Sequence, residues 1–143
     1  MTFDALVQQI ASGIVSRLAF FVGLLHYSNE KKKYLLSALL KLVISQRLLP
    51  GTDEKLVLVP EVMVVDNVIS GIIRKDKLSV SEIEDAIQSN SENGSIGLIN
   101  SIANLFVDEK ITLEQAKAQI EEKNIEVLNR TIMQLRIKKD KKN

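Results

Sequence analysis

Cysteine is absent from these 143 residues, which removes disulfides and thiol chemistry and fits a reducing compartment. His26 is the only histidine, so a histidine-built metal site is excluded and a catalytic imidazole would lack an evident orienting acid. None of the six glycines is followed by lysine. The Gly-x-x-x-x-Gly-Lys loop that cradles a nucleotide's phosphates is therefore missing. Charge of one sign is missing too: 19 basic against 18 acidic residues leave +1. Long-range attraction to nucleic acid or to an anionic membrane is then no property of the whole chain. The longest apolar stretch, 10–27, is split by Arg17 and diluted by Ser12, Ser16 and His26, so a buried helix is expected there rather than a membrane span. A secretory signal is not expected either: Asp4 opens the chain and no basic segment precedes the apolar one.

What is present reads as one ordinary domain, 45% hydrophobic and 26% charged. Leu6, Ile10 and Ile14, with Val7 and Leu18, recur at helical spacing, giving one helix over 2–25 or two kinked at Gly13 or Gly23. Ser28 or Asn29 can cap a following helix to Lys41, on which Lys31, Lys32 and Lys33 mark the wet face. Two β-branched, apolar runs then flank Pro50-Gly51-Thr52-Asp53, a hairpin over 42–65 with Val43, Ile44, Leu56 and Leu58 expected in the core. Pro60 cannot donate to a ladder, so it predicts an edge or a bulge. Asp66 or Asn67 caps a helix over 68–75, and Ser79 or Ser81 the next, Ser79 with Glu82 forming a capping box. From Ser95 onward Ile96, Ile99, Ile102 and Phe106 make an apolar stripe on a further helix. Thr112 caps a helix over 113–123, and a last one carries Ile125, Leu128, Ile132 and Leu135. The expected architecture is α/β but mostly α: a short β-hairpin packed among six or seven helices. The expected organisation is a single domain over 1–137 (helices 2–41, hairpin 42–65, helices 66–137) and a solvated basic tail over 138–143.

Several runs, in order, resemble the C-terminal region of PilT-type retraction ATPases, the hexameric motors of type IV pili within the wider family of type II and type IV secretion ATPases. Val43-Ile44-Ser45-Gln46-Arg47-Leu48 matches that family's Val-Ile-Ser-Gln-x-Leu strand, and Pro60-Glu61-Val62-Met63 its Glu-Val-Met strand end. Val68-Ile69-Ser70-Gly71-Ile72-Ile73-Arg74-Lys75 falls on the helix Ala-Ile-Arg-Asn-Leu-Ile-Arg-Glu. Ile87-Gln88-Ser89-Asn90 stands for Ile-Gln-Thr-Gly, and Gly94, Leu98, Ser101, Ala103, Leu105, Ile111, Thr112, Glu114 and Ala116 follow in place. Upstream, Ser16-Arg17-Leu18 matches an Asp-Arg-Leu helix, so the resemblance covers 13–118. The departures are the missing phosphate loop and a Walker-B strand and acidic and histidine boxes that would lie before Met1. Ser70 replaces an arginine, Gly71 an asparagine, and Ile99 an acidic residue.

The resemblance implies the C-terminal portion of a RecA-like motor: a truncated, split or degenerate copy of a twitching-motility or secretion ATPase, acting in subunit assembly or regulation. It implies no catalysis by this chain alone and no cofactor of its own, with ATP and magnesium entering only through a nucleotide-binding partner. Partners would be pilus or secretion motor subunits, not nucleic acid, in an oligomer. The location would be cytoplasmic, with the inner face of the membrane as one place for it. Val68, Ile69, Ile72, Ile73 and Arg74 form the candidate interface, because four apolar residues in one short helix exceed a single buried stripe. The rival reading is a small α-helical adaptor or scaffold unrelated to pilus motors. Asp53-Glu54 and Glu82, Glu84, Asp85 are explained by turn chemistry and helix N-termini rather than by acid–base work. Glu121-Glu122 belongs to a solvated helix face.

Overall fold

The computed structural model describes residues 30–75 and 79–142, with side chains from Tyr34 onward. The expected helix over 2–25, its kinks, the cap at Ser28 or Asn29, His26 and the side chains of Lys31, Lys32 and Lys33 lie outside the described residues. The order of elements is α1 (Glu30–Leu39), β1 (Leu42–Pro50), β2 (Leu56–Val64), α2 (Asn67–Arg74), α3 (Val80–Ser89), α4 (Leu98–Val107), α5 (Leu113–Ala118) and α6 (Ile125–Asp140). The described fold is thus mostly helical around one two-stranded hairpin, as the sequence predicts.

The described residues divide into two compact units, each holding part of the hairpin: 30–45 with 61–75 and 79–96, and 46–60 with 97–142. In the first unit Met63, Ile69, Ile72, Ile73, Ile83, Ala86 and Ile87 form the core, with Leu36, Leu40, Val43 and Val65 packed on it. Ile69, Ile72 and Ile73 meet it because positions i, i+3 and i+4 share one helix face, and each buried isoleucine stabilises by about 1.5–3 kcal/mol. Asp66 begins α2: Oδ1 accepts from the Ile69 N–H, and Oδ2 accepts from the side-chain amides of Asn90 and Asn93. The loop 90–95 is so tied to the α2 N-terminus, and Gly94 takes the left-handed φ of 94° that ends its short 3₁₀ turn. Ser79 Oγ accepts from the Glu82 N–H, but the expected capping box is only half made, because the Glu82 carboxylate pairs with Lys75 instead of reaching back to Ser79.

In the second unit Leu49, Val59, Ile102, Ala103, Ile111, Ala116, Ile120, Leu128 and Ile132 form the core, in which α4 packs on α6. α4 ends in a Schellman turn: the Lys110 N–H donates to Leu105 O, the Glu109 N–H to Phe106 O, and Glu109 is left-handed at φ 59°. The hairpin loop docks there. The Thr52 N–H donates to Lys110 O and its hydroxyl to Glu109 O at 2.8 Å. Thr112 and Gln115 form a reciprocal capping box on α5. α4 starts at Leu98 rather than Ser95, because Ile96 instead bridges to Val62 in an antiparallel pair. α5 stops at Ala118, short of the expected 123, and a 3₁₀ turn over Glu122–Asn124 intervenes. Residues 138–140 continue α6, and Lys139 donates to Val107 O and Asp108 Oδ1.

The hairpin register corrects one expectation. The Gly51 N–H donates to Lys55 O at the tip and the Val65 N–H to Lys41 O at the base, so one register runs throughout without a net bulge. Leu48 then faces Leu58, Ile44 faces Val62, and Ser45 faces Glu61. Odd-numbered residues point into the cores; even-numbered ones point away from them. Ile44, Leu56 and Leu58, expected to be buried, are 55%, 66% and 44% exposed, and only Val43 packs inward, half-buried. Pro60 sits at an even position, where Val62 shows the N–H directed away from β1, so its missing donor costs the ladder nothing.

Candidate interaction surface

The solvent face of α2 carries Asn67, Val68, Gly71, Arg74 and Lys75, whereas Ile69, Ile72 and Ile73 are buried in the core. Of the five residues singled out in the sequence, Val68 and Arg74 therefore remain accessible. Arg74 lies over the ring of Tyr34 on α1, 5.4 Å from its centroid, a cation–π contact on an exposed surface. Ser70 is buried and its hydroxyl donates to Ser37 O at 2.7 Å, so a small side chain here lets α1 and α2 approach. Leu35 and Leu39, one turn apart on α1, are exposed beside Tyr34.

Apolar side chains are also exposed on the part of the hairpin in each unit. Leu42 and Ile44 in the first unit, and Leu48, Leu56 and Leu58 in the second, are all exposed. Meanwhile the core-facing side holds Ser45 and Glu61, only 6% and 5% exposed. The ordinary pattern is inverted: the more aliphatic face is in solvent and the polar-bearing face is inside. Sequence reasoning missed this face because both sides of the strands are apolar enough to be core. The usable signal was Ser45, Glu61 and Arg47 sharing one parity.

Chemistry offers less. Among the described residues no group of three or more His, Cys, Asp or Glu gathers to hold a metal. A cleft of about 520 Å³ in the second unit is lined by Thr52, Phe106, Val107, Glu109, Ile111, Arg136 and Asp140. Its one cation, Arg136, lies over the Phe106 ring at 5.3 Å, and the carboxylates of Glu109 and Asp140 would repel phosphate. This lining makes the cleft a poor seat for a phosphate group. No described helix is long and apolar enough to cross a membrane.

No protein-family model matches this sequence, and no curated protein matches it. Solved structures do. The pilus retraction motor PilT with bound ADP superposes with a TM-score of 0.57 at 24% identity, over 76% of this chain and 31% of that one. The fold is similar to that of part of this structure. The ATPase DotB of Legionella pneumophila agrees, with a TM-score of 0.56 at 19% identity over 75% of this chain and 29% of its own. At these identities the likeness is one of fold, and the chain spans less than a third of either protein's length.

Proposed function

We propose that this chain is a non-catalytic module of a type IV pilus twitching-motility or secretion ATPase system, acting in subunit assembly or regulation. The observation that carries the reading is the uncovered aliphatic side chains of the hairpin, in a fold that corresponds to under a third of the PilT and DotB chains. A face of this kind lowers its free energy by meeting another apolar surface, at roughly 25 cal/mol per Å² covered. The partner is a motor subunit, and any ATP or magnesium is held by that subunit. Val68 and Arg74 on α2 form a second, more polar contact area. The module acts in the cytoplasm, at the inner face of the membrane where its motor assembles. Whether by truncation, gene splitting or degeneration, a chain without a phosphate loop contributes binding and not hydrolysis.

The test is capture of a full-length PilT-type motor by the purified chain, comparing wild type with Leu56→Asp/Leu58→Asp and with Arg74→Ala. Loss of capture in the hairpin variant, with unchanged circular dichroism, supports the reading; equal recovery of all three overturns it. The second reading is a small α-helical adaptor unrelated to pilus motors. Failure to capture any motor, by a well-folded wild type, supports that one.

A further inference from the structure

Independently of that reading, β1 has the properties of a self-pairing edge. The two edges of the hairpin differ. On β2 the Val62 N–H and C=O both bond Ile96, and the Val64 N–H donates to Ser95 Oγ. On β1 the backbone groups of Leu42, Ile44, Gln46 and Leu48 point away from β2, and no bond from them is made among the described residues; at the end of the strand Pro50 has no N–H and its C=O accepts from Gln115 Nε2. Of the devices that usually blunt such an edge, only Pro50 at the last position of the strand is present: 42–49 contains no proline, lysine or acidic residue, and the register has no net bulge. The one charge, Arg47, projects from the other face of the strand.

The sequence of β1 is also close to symmetric about its centre. Two copies laid antiparallel about Gln46 place Leu42 against Pro50, Val43 against Leu49, Ile44 against Leu48, Ser45 against Arg47, and Gln46 against itself. Every pair is apolar–apolar except two, and the terminal Leu42–Pro50 pair contributes side-chain contact only, since Pro50 has no N–H and its C=O is held by Gln115. Ser45 meets Arg47 without like charges opposed, and the two Gln46 amides can hydrogen-bond each other. Self-complementarity of one patch is what a two-fold interface requires. Because the N–H of Gln46 points outward, Gln46 would meet its copy as a hydrogen-bonded pair, Cα atoms about 5.5 Å apart.

We propose that two copies of this chain pair β1 to β1 antiparallel about Gln46, joining their hairpins into one four-stranded sheet. The aliphatic faces of both hairpins then form one continuous surface.

The lack of native cysteine makes the test direct. In the full chain, Gln46→Cys brings the two thiols within disulfide range across the two-fold, whereas Leu42→Cys leaves them about 27 Å apart. Mild oxidation should convert most Gln46→Cys chains to a covalent dimer and leave Leu42→Cys monomeric on a non-reducing gel. Sedimentation should find the wild type dimeric, and Leu48→Lys, which charges an already exposed edge position, should raise its dissociation constant roughly tenfold or more. Circular dichroism checks that each variant is folded, so loss of pairing is not loss of fold. A wild type monomeric at 100 µM-scale concentrations (about −5 kcal/mol), equal cross-linking at positions 42 and 46, or a dimer that Gln46→Cys fails to trap would each overturn the proposal. No motor subunit is present in this experiment, so its outcome is separate from that of motor capture.

Discussion

Gln115 hydrogen-bonds the backbone of Pro50: its Nε2 donates to the Pro50 carbonyl at 2.9 Å, across 65 residues of sequence. Its other amide atom is also used, since Oε1 accepts from the Thr112 N–H at 2.8 Å in the α5 capping box. One side chain thus fixes a helix start and holds the hairpin tip. Gln115→Glu keeps the acceptor and loses the donor, whereas Gln115→Ala loses both. The alanine variant should lose about 1–2 kcal/mol and the glutamate variant less, read from urea midpoints. Equal losses would mean that the acceptor bond from Thr112 contributes nothing, and a glutamate variant as stable as wild type that the bond to Pro50 contributes nothing.

The hairpin register separates costly substitutions from cheap ones. Met63→Ala and Ile73→Ala empty the first core and should each cost about 2–5 kcal/mol. Ile44→Ala removes a side chain already in solvent and should cost under about 1 kcal/mol. Chemical denaturation checks this, and a large loss for Ile44→Ala would reverse the assignment of the two faces.

Gly51 is required by space. A Cβ there would lie 2.6 Å from Val57 Cγ2 and 2.9 Å from Lys55 O, the acceptor that closes the hairpin. Because the second obstruction is backbone, Gly51→Ala should cost about 1–3 kcal/mol and loosen amide protection at Lys55 and Leu56. Unchanged exchange there would show that the tip adjusts freely.

Glu109 holds a left-handed φ of 59° at the Schellman turn after α4. Glu109→Gly relieves that conformation while keeping the carbonyl that accepts from Thr52, and should raise the thermal midpoint by a few degrees, about 0.5–1 kcal/mol. A lowered midpoint would mean that its side chain contributes more than its backbone costs.

Ser70 stands where the resembling motors have arginine, in a buried position bonded to Ser37 O. Ser70→Arg would place a long cation between α1 and α2 and should cost more than about 3 kcal/mol. Hydrogen exchange should rise in 61–96 first, with 97–142 less affected; uniform exchange would contradict two separate cores.

Much of the local structure was legible because it depends on a few neighbouring residues. Asp66, Ser79 and Thr112 cap the helices predicted for them, since each side chain reaches an N–H three residues on. The hairpin strands were equally clear from their β-branched runs. Which face is buried was not, because Leu42, Ile44, Leu48, Leu56 and Leu58 satisfy a core pattern better than Ser45 and Glu61 do. The start of α4 failed for a related reason: the helical spacing of Ile96 is outweighed by its bonds to Val62, a partner 34 positions back that no local window contains. Of the surface residues on α2, periodicity identified the apolar set. It did not separate Val68, which is 57% exposed, from the three buried isoleucines.

The hairpin tip, 46–60, belongs to a core whose other members all lie beyond residue 96. On a ribosome the chain emerges in order, so Leu49 and Val59 are delivered long before Ile102, Leu128 and Ile132. At about 5–20 residues per second that interval lasts several seconds. Throughout it the tip is greasy on both sides, with the even-numbered leucines and the unburied odd-numbered residues in water together. The nascent chain therefore passes through a stage more adhesive than its finished form, and its yield in cells should depend on holdase chaperones and on slow translation before residue 96 rather than on final stability alone.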